Sequence, residues 1–177
     1  MSVVYLAINE RANKTWAVKE VRKDGVCDFE AVKQGLVVET DMLKKLNHPY
    51  LPSIIDVIDT EDSFLIVMDY IEGKSLQSVL KSGAQPYDLV IKWAMQLCDV
   101  LGYLHSREPA IIYRDMKPAN VMLKPSGDIT LIDFGTARTQ KVGVMMSADT
   151  LCLGTAGFAA PEQFGGQGQS DARTDIF

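Results

Sequence analysis

The sequence predicts an α+β fold in which a small antiparallel sheet is followed by a mainly helical part. Three observations lead to this prediction. Residues 2–69 contain four runs with strand character, and a polar turn at 9–14 joins the first two as in a hairpin. Residues 87–106 place apolar side chains at helical spacing. Two short apolar runs then enclose a polar loop at 113–120.

The composition excludes several classes of protein. The 177 residues are 47% hydrophobic, which is ample for a globular core, and the formal net charge is −5. This acidic balance argues against nucleic acid as the main partner, because phosphate binding needs a basic patch. Cys27, Cys98 and Cys152 form no C-x-x-C pair, so we expect reduced thiols. Without a signal-peptide pattern or a run of about 18 apolar residues, we expect a cytoplasmic segment that spans no membrane.

In chain order, the predicted N-terminal strands are 2–8, 15–21, 54–59 and 64–69. The last of them is the most apolar run in the chain, which suits a central, buried strand. Residues 28–46 have helical spacing and precede an Asn-His-Pro sequence that would end a helix.

Two helices are predicted in the second half. Ser75 can cap a short one, and Pro86 opens a longer one over 87–106. The residues predicted to form the apolar face of the longer helix are Val90, Ala94, Leu97, Leu101 and Leu104. Trp93 and Met95 are also predicted to pack in the interior.

The candidate chemistry lies in the polar loop at 113–120 and just after it. Strands on both sides of the loop would bring Asp115, Lys117 and Asn120 towards one point. Pro118 suits such a loop because it fixes its own φ and offers no donor to a strand. Asp133 ends a second apolar run. A base, a cation, an amide oxygen and another carboxylate are the groups that phosphoryl transfer needs around magnesium.

At these residues the chain resembles the eukaryotic-type protein kinase family, and residues 154–163 and 171–177 resemble those of its bacterial serine/threonine members. Residues 113–120 match the catalytic-loop motif H-R-D-x-K-x-x-N with Tyr113 in place of His, and 133–135 match D-F-G. Residues 160–162 match A-P-E, and 17–19 resemble the strand motif V-A-I-K.

The resemblance implies a two-lobed protein-kinase-like fold. Residues 1–68 would form a small antiparallel β N-lobe with one helix, αC. Residues 69–73 would form the hinge, and 74–177 a mainly helical, incomplete C-lobe that ends at the start of the family's helix αF.

The resemblance also implies ATP and Mg²⁺ as cofactors, bound between the lobes. Asp115 would accept the proton of a substrate hydroxyl and Lys117 would steady the γ-phosphate. Lys19, paired with Glu39, would hold the α- and β-phosphates. Spacing alone leaves another interpretation open for this pair, since most strand lysines and helical glutamates are simply solvated.

The remaining nucleotide and metal contacts are implied by the same resemblance. Asn120 and Asp133 would bind magnesium. The predicted nucleotide-binding residues are Val4, Ala17, Lys19, Met68 as gatekeeper, Asp69 through its carbonyl, Ile71 through its amide, Met122 and Asp133.

Residues 136–159 are small and polar without periodicity, which indicates either disorder or function. By resemblance they form most of an activation segment, in which Thr155 would contact the substrate residue. Thr150 and Ser147 would be autophosphorylation sites, with Arg114 binding the phosphate. Unmodified hydroxyls are an equally open alternative.

The chain departs from the family pattern at both ends. The glycine-rich loop should precede Val4, so we expect Met1 to be an internal methionine. At the other end, Asp175 would bond back to the catalytic-loop backbone. The arginine that pairs Glu162 in the family would lie in missing helices, so we expect a segment that is neither stable nor active alone. A membrane anchor could lie in that missing C-terminal part.

The predicted function is an ATP-dependent protein kinase of bacterial signalling that phosphorylates serine or threonine in protein substrates. Lys117, two residues after Asp115, and Thr155 favour this branch over the tyrosine one. Two alternatives stay open: a catalytically inert, truncated kinase-like binding module, and a small-molecule phosphotransferase. No nucleic acid partner is predicted.

Overall fold

The computed structural model describes residues 2–11, 13–23, 29, 33, 37, 40–134, 136–139, 155–164 and 170–177. The residues named in predictions that lie outside these ranges are Met1, Cys27, Glu39, Ser147, Thr150 and Cys152. The chain divides into two compact units, Met1–Glu72 and Gly73–Phe177. This division falls within the predicted hinge, while the lobe assignment stays a prediction.

The first unit is built on a four-stranded antiparallel sheet of order β1-β2-β4-β3. Its strands are β1 (Ser2–Asn9), β2 (Lys14–Arg22), β3 (Ile54–Asp59) and β4 (Ser63–Asp69). All four were predicted within a residue or two, and the α+β fold class is confirmed. Strand β4 lies between β2 and β3, and Phe64 and Ile66 on it are buried. Its apolar run therefore occupies the interior of the sheet, as predicted.

Helical residues also occur in the predicted helix at 28–46. Of the described residues there, Phe29, Lys33, Val37 and 40–43 are helical, and a turn follows at 44–45. The end of this helix thus falls about three residues before the predicted one.

The second unit combines two helices with short strands. Its elements are β5 (Lys74–Ser75), α1 (Leu76–Leu80), α2 (Tyr87–His105), β6 (Ile111–Ile112), β7 (Val121–Leu123), β8 (Ile129–Leu131) and β9 (Arg138–Thr139). The described residues of this unit also form three 3₁₀ helices: Pro118–Asn120, Pro161–Gln163 and Ala172–Asp175. Strands β5, β7 and β8 form one sheet, and β6 pairs with β9. The last 3₁₀ helix lies where the sequence predicted the start of αF.

The predicted cap of helix α1 is confirmed. The Ser75 hydroxyl accepts a hydrogen bond from the Ser78 amide at 3.2 Å. This bond satisfies one of the amides that the first turn of a helix leaves without a partner.

The predicted buried face of helix α2 is partly wrong. Its buried residues are Trp93, Gln96, Val100, Leu101 and Leu104. By contrast, Val90 is 44% and Met95 69% exposed, and Ala94 is exposed as well. Apolar residues occur on both sides of this helix, so periodicity alone could not select the face that packs. None of the helices in the described part of the chain combines the length and apolarity needed to cross a lipid bilayer.

Candidate active site

The polar loop at 113–120, here called the catalytic loop, is folded by bonds between its own ends. Strands β6 and β7 flank it, and its last three residues form a 3₁₀ helix that begins at Pro118. The Asn120 Nδ2 group donates to the Asp115 carboxylate (Oδ2) at 2.7 Å and to the Asp115 carbonyl at 3.0 Å. These bonds bring Asp115 and Asn120 together, as the sequence pattern predicted.

Asp115, Lys117 and Thr155 form a closed triangle of polar contacts. The Lys117 Nζ lies 2.7 Å from Asp115 Oδ2 and donates to the Thr155 hydroxyl at 2.7 Å. That hydroxyl in turn donates to Asp115 Oδ1 at 2.9 Å. The Asp115 carboxylate therefore already accepts a proton-bearing hydroxyl, with a cation beside it. This is the arrangement that orients an alcohol for attack on a phosphoryl group.

The Asp175 carboxylate accepts hydrogen bonds from the backbone of the catalytic loop. Its Oδ2 accepts the Tyr113 amide at 2.9 Å, and its Oδ1 accepts the Arg114 amide at 2.7 Å. His105 Nε2, at the end of α2, lies 2.7 Å from the same carboxylate. The bonding of Asp175 to the loop backbone, which the resemblance implied, is present. His105 was not predicted, and no motif or spacing in the sequence indicates its role.

Tyr113 stands where the family motif has histidine, and it links the loop to the D-F-G segment. Its phenol donates to the Ile132 carbonyl, directly before Asp133. Its ring meets Phe134 edge to face, with centroids 5.2 Å apart. The side chain is fully buried. Tyr113 thus fixes the segment that carries Asp133, whose own φ of 63° lies in the left-handed region.

The pKa of Tyr113 is raised well above its usual value, first by burial and then by the nearby carboxylates of Asp133 and Asp115. The phenol stays protonated in the folded chain at a pH where the unfolded chain ionises it. Its contribution to stability is therefore present below about pH 10 and is lost as the pH rises above that value. We expect the free energy of unfolding of the wild type to fall above pH 10 more steeply than that of Tyr113→Phe.

The difference in slope between the two proteins should approach about 1.4 kcal/mol per pH unit. Urea denaturation at several pH values between about 9 and 11 measures it. The other five tyrosines are common to both proteins and cancel in the comparison. Parallel slopes would contradict the assigned burial of the phenol.

Arg114 is almost fully buried, and its Nε donates to the Thr136 carbonyl at 2.7 Å. The hydroxyls that it was predicted to bind after phosphorylation, on Ser147 and Thr150, lie outside the described residues. Its role as a phosphate receptor therefore stays a prediction.

Glu162 of the A-P-E motif has a partner of another kind than the arginine that pairs it in the family. It is half-buried, and the Thr174 hydroxyl donates to its Oε1 at 2.5 Å. The predicted absence of the arginine stays a prediction. Thr174 lies in the short 3₁₀ helix at the end of the chain, and this contact could not be read from spacing.

In the first unit, the sheet register gathers four predicted nucleotide-binding residues. Val4 pairs with Lys19, and Ala17 pairs with Met68 on its other side. Paired residues project to the same side of a sheet, as do residues two apart on one strand. Val4, Ala17, Lys19 and Met68 therefore share one face. Glu39, the predicted partner of Lys19, lies outside the described residues.

Three further predicted contacts can be placed. Asp69 ends β4, its carboxylate accepts the Ser53 amide at 2.9 Å, and its own backbone amide donates to the Ser53 carbonyl at 3.0 Å. Ile71 follows in irregular, half-buried backbone. Met122 is the half-buried central residue of β7 and pairs with Thr130.

The residues predicted to bind magnesium are chemically suited to it. Asn120 carries an amide oxygen and directs its Nδ2 group to Asp115, and Asp133 carries a carboxylate. The Ile132 amide donates to the Asn120 carbonyl at 2.8 Å, so the two segments are adjacent. Oxygen ligands are those that magnesium prefers. Among the described residues, no three or more His, Cys, Asp or Glu side chains lie together in a group that could hold a metal ion.

Comparison with known proteins identifies the family. The model of the protein kinase domain matches residues 1–177, the whole chain. The chain belongs to the protein kinase family. The catalytic loop, the D-F-G segment and the A-P-E motif of this kinase chain are thus family features, and the predicted resemblance is confirmed.

The similar proteins include bacterial serine/threonine-protein kinases. The kinase chain is 32% identical over 178 residues to a probable serine/threonine-protein kinase of Clostridium perfringens, covering 100% of this chain and 25% of that protein. It is 34% identical over 188 residues to one of Streptomyces coelicolor, with 100% and 27% covered. The kinase PknB of Mycobacterium leprae is 31% identical over 182 residues, with 100% and 29% covered. The chain spans about a quarter of the length of these relatives.

Proposed function

We propose that this chain carries the catalytic machinery of a serine/threonine protein kinase, which transfers the γ-phosphate of ATP to hydroxyls of protein substrates. One observation carries the proposal: the Thr155 hydroxyl donates to Asp115 while Lys117 contacts both. A substrate serine or threonine presents the same group. The names of the bacterial relatives support the serine/threonine branch. We place the proposed activity in bacterial signalling in the cytoplasm.

In this proposal Asp115 accepts and orients the substrate hydroxyl. Its carboxylate suffices because orientation matters more than basicity in a loose transition state. Lys117, which lies beside it, neutralises charge on the transferred phosphoryl group. Thr155 releases Asp115 when the substrate hydroxyl takes its place.

Asn120 and Asp133 would hold magnesium. The bound metal would neutralise phosphate charge and align the phosphate chain. The shared face of Val4, Ala17, Lys19 and Met68 would contact the nucleotide in the first unit, with Lys19 on the phosphates. The backbone of Asp69 and Ile71 would bind the adenine edge, and Met122 would contribute an apolar contact.

Phosphate incorporation tests the proposal. The full-length protein that contains this chain, incubated with Mg-ATP and generic protein substrates, should yield phosphoserine and phosphothreonine but no phosphotyrosine on acid hydrolysis. Parallel incubation with small amino alcohols and sugars should yield no phosphorylated product. Nucleotide binding by calorimetry without any transfer would favour the inert binding module instead.

A further inference from the structure

The backbone amides and carbonyls of Tyr113 and Arg114 are hydrogen-bonded to side chains from distant parts of the chain. Asp175 accepts both amides. The Thr136 hydroxyl donates to the Tyr113 carbonyl at 3.2 Å, and the Gln163 amide donates from Nε2 to the Arg114 carbonyl at 2.7 Å. All four polar groups of this dipeptide thus have a side-chain partner, and each partner lies at least 23 residues away in sequence.

Gln163 is buried, and both ends of its amide are used. Its side-chain Oε1 accepts the Ala160 amide at 2.9 Å, and its backbone amide donates to the Ala160 carbonyl at 2.9 Å. These bonds hold the side chain in one orientation, with Nε2 directed at the catalytic loop. Gln163 is 5% and Arg114 4% exposed, so water does not compete freely for the bond between them.

The Arg114 carbonyl belongs to the planar peptide unit that leads into Asp115. A bond to that oxygen therefore fixes the plane from which the Asp115 side chain departs. The restraint is needed because Arg114 has φ of 68°, which is unfavourable for any residue with a Cβ. Without Gln163, the peptide could relax by rotating and would carry the carboxylate with it.

We propose that Gln163 is a positioning residue for Asp115, acting through the Arg114–Asp115 peptide. The inference rests on the proposed kinase function and adds a residue outside the catalytic motifs. Segment 155–164 then contacts Asp115 in two ways: Thr155 bonds its carboxylate, and Gln163 bonds the peptide before it. Order in this segment and alignment of the catalytic carboxylate are therefore coupled.

Gln96 provides a matched control for the loss of a buried amide. It is also buried, with Nε2 donating to Asp128 Oδ1 at 2.8 Å and Oε1 accepting the Ile129 amide at 3.0 Å. Its bonds fix helix α2 to the start of β8 rather than to the catalytic loop. Replacing either glutamine with methionine removes one donor and one acceptor and keeps the length of the side chain.

The experiment compares Gln163→Met with Gln96→Met in the full-length protein that contains this chain, measuring Tm and steady-state phosphate transfer with ATP and protein substrate varied. Both variants should lose a similar amount of stability. Gln163→Met should lower kcat about 10- to 100-fold with KM for ATP unchanged, because a small misplacement of a catalytic group is costly. Gln96→Met should keep kcat within about twofold of wild type. Equal effects of the two variants on kcat would overturn the proposal.

Gln163→Glu removes the Nε2 donor and keeps an acceptor oxygen. It provides a second test in case Gln163→Met does not fold. Its ionised carboxylate still accepts the Ala160 amide but, unlike the protonated acid, cannot donate to the Arg114 carbonyl. At a pH where the carboxylate is ionised, the variant should lower kcat as Gln163→Met does, and wild-type kcat there would overturn the proposal.

Hydrogen exchange gives a readout that does not depend on transfer. Peptides covering 113–117 should exchange faster in both Gln163 variants than in wild type or Gln96→Met. If the wild type transfers no phosphate, the proposed function fails while this measurement still decides the inference. Unchanged exchange at 113–117 would then overturn it.

Discussion

Asp115→Asn is expected to reduce phosphate transfer about 10²- to 10⁴-fold while nucleotide affinity changes little. The amide keeps the size of the side chain and an oxygen for the Thr155 hydroxyl or the substrate. It loses the negative charge that accepts the proton and the ion pair with Lys117. Transfer should be measured as phosphate incorporation, and binding of Mg-ATP by calorimetry.

Asp88→Asn is the matched control, since Asp88 is an exposed acid in the first turn of α2. It should leave both measurements unchanged. A loss of ATP binding in Asp115→Asn as large as its loss of transfer would refute the role assigned to Asp115. In that case the carboxylate would belong to the binding site for the nucleotide rather than to the reacting hydroxyl.

Asp175→Ala is expected to have the largest effect on stability. The side chain of Asp175 is fully buried and accepts the amides of Tyr113 and Arg114. Its removal leaves two buried donors without an acceptor, each costing about 1–3 kcal/mol, so we expect a loss of about 2–6 kcal/mol. Denaturation by urea, followed by circular dichroism, measures the change in the free energy of unfolding.

Asp175→Asn refines this test. Its amide oxygen can accept one of the two backbone donors, but its NH₂ group faces the other, so it should recover only part of the loss. Asp88→Ala again serves as the control and should cost no more than about 1 kcal/mol, the usual size of a helix-terminus charge effect. A loss in Asp175→Ala no larger than in Asp88→Ala would show that the loop backbone does not depend on Asp175.

The two substitutions separate chemistry from architecture. Asp115→Asn should remove transfer without unfolding the chain, whereas Asp175→Ala should lower stability and impair transfer only through the catalytic loop. Of the two variants, Asp175→Ala should have the lower Tm and Asp115→Asn the lower rate of phosphate transfer. Measuring both quantities for both variants therefore tests this division of roles.

The elements predicted correctly from the sequence are those whose structural cause is local. Alternating and continuous apolar runs predicted β1 to β4, and the Ser75 cap follows from side-chain chemistry three residues away. The prediction from sequence was less accurate where two faces of one helix are similarly apolar. Helix α2 has apolar residues on both sides, and only packing selected the face that carries Trp93 and Gln96.

By itself, the sequence determined the family, the order of strands and helices, and the residue types available for phosphoryl transfer. Only the tertiary structure decided which distant side chains hold the catalytic loop: His105 through Asp175, Thr136, and Gln163 at a separation of 49 residues. Such bonds leave no trace in periodicity or spacing. They arise because a buried backbone with an unfavourable dihedral angle needs partners, and the fold alone determines which side chains reach it.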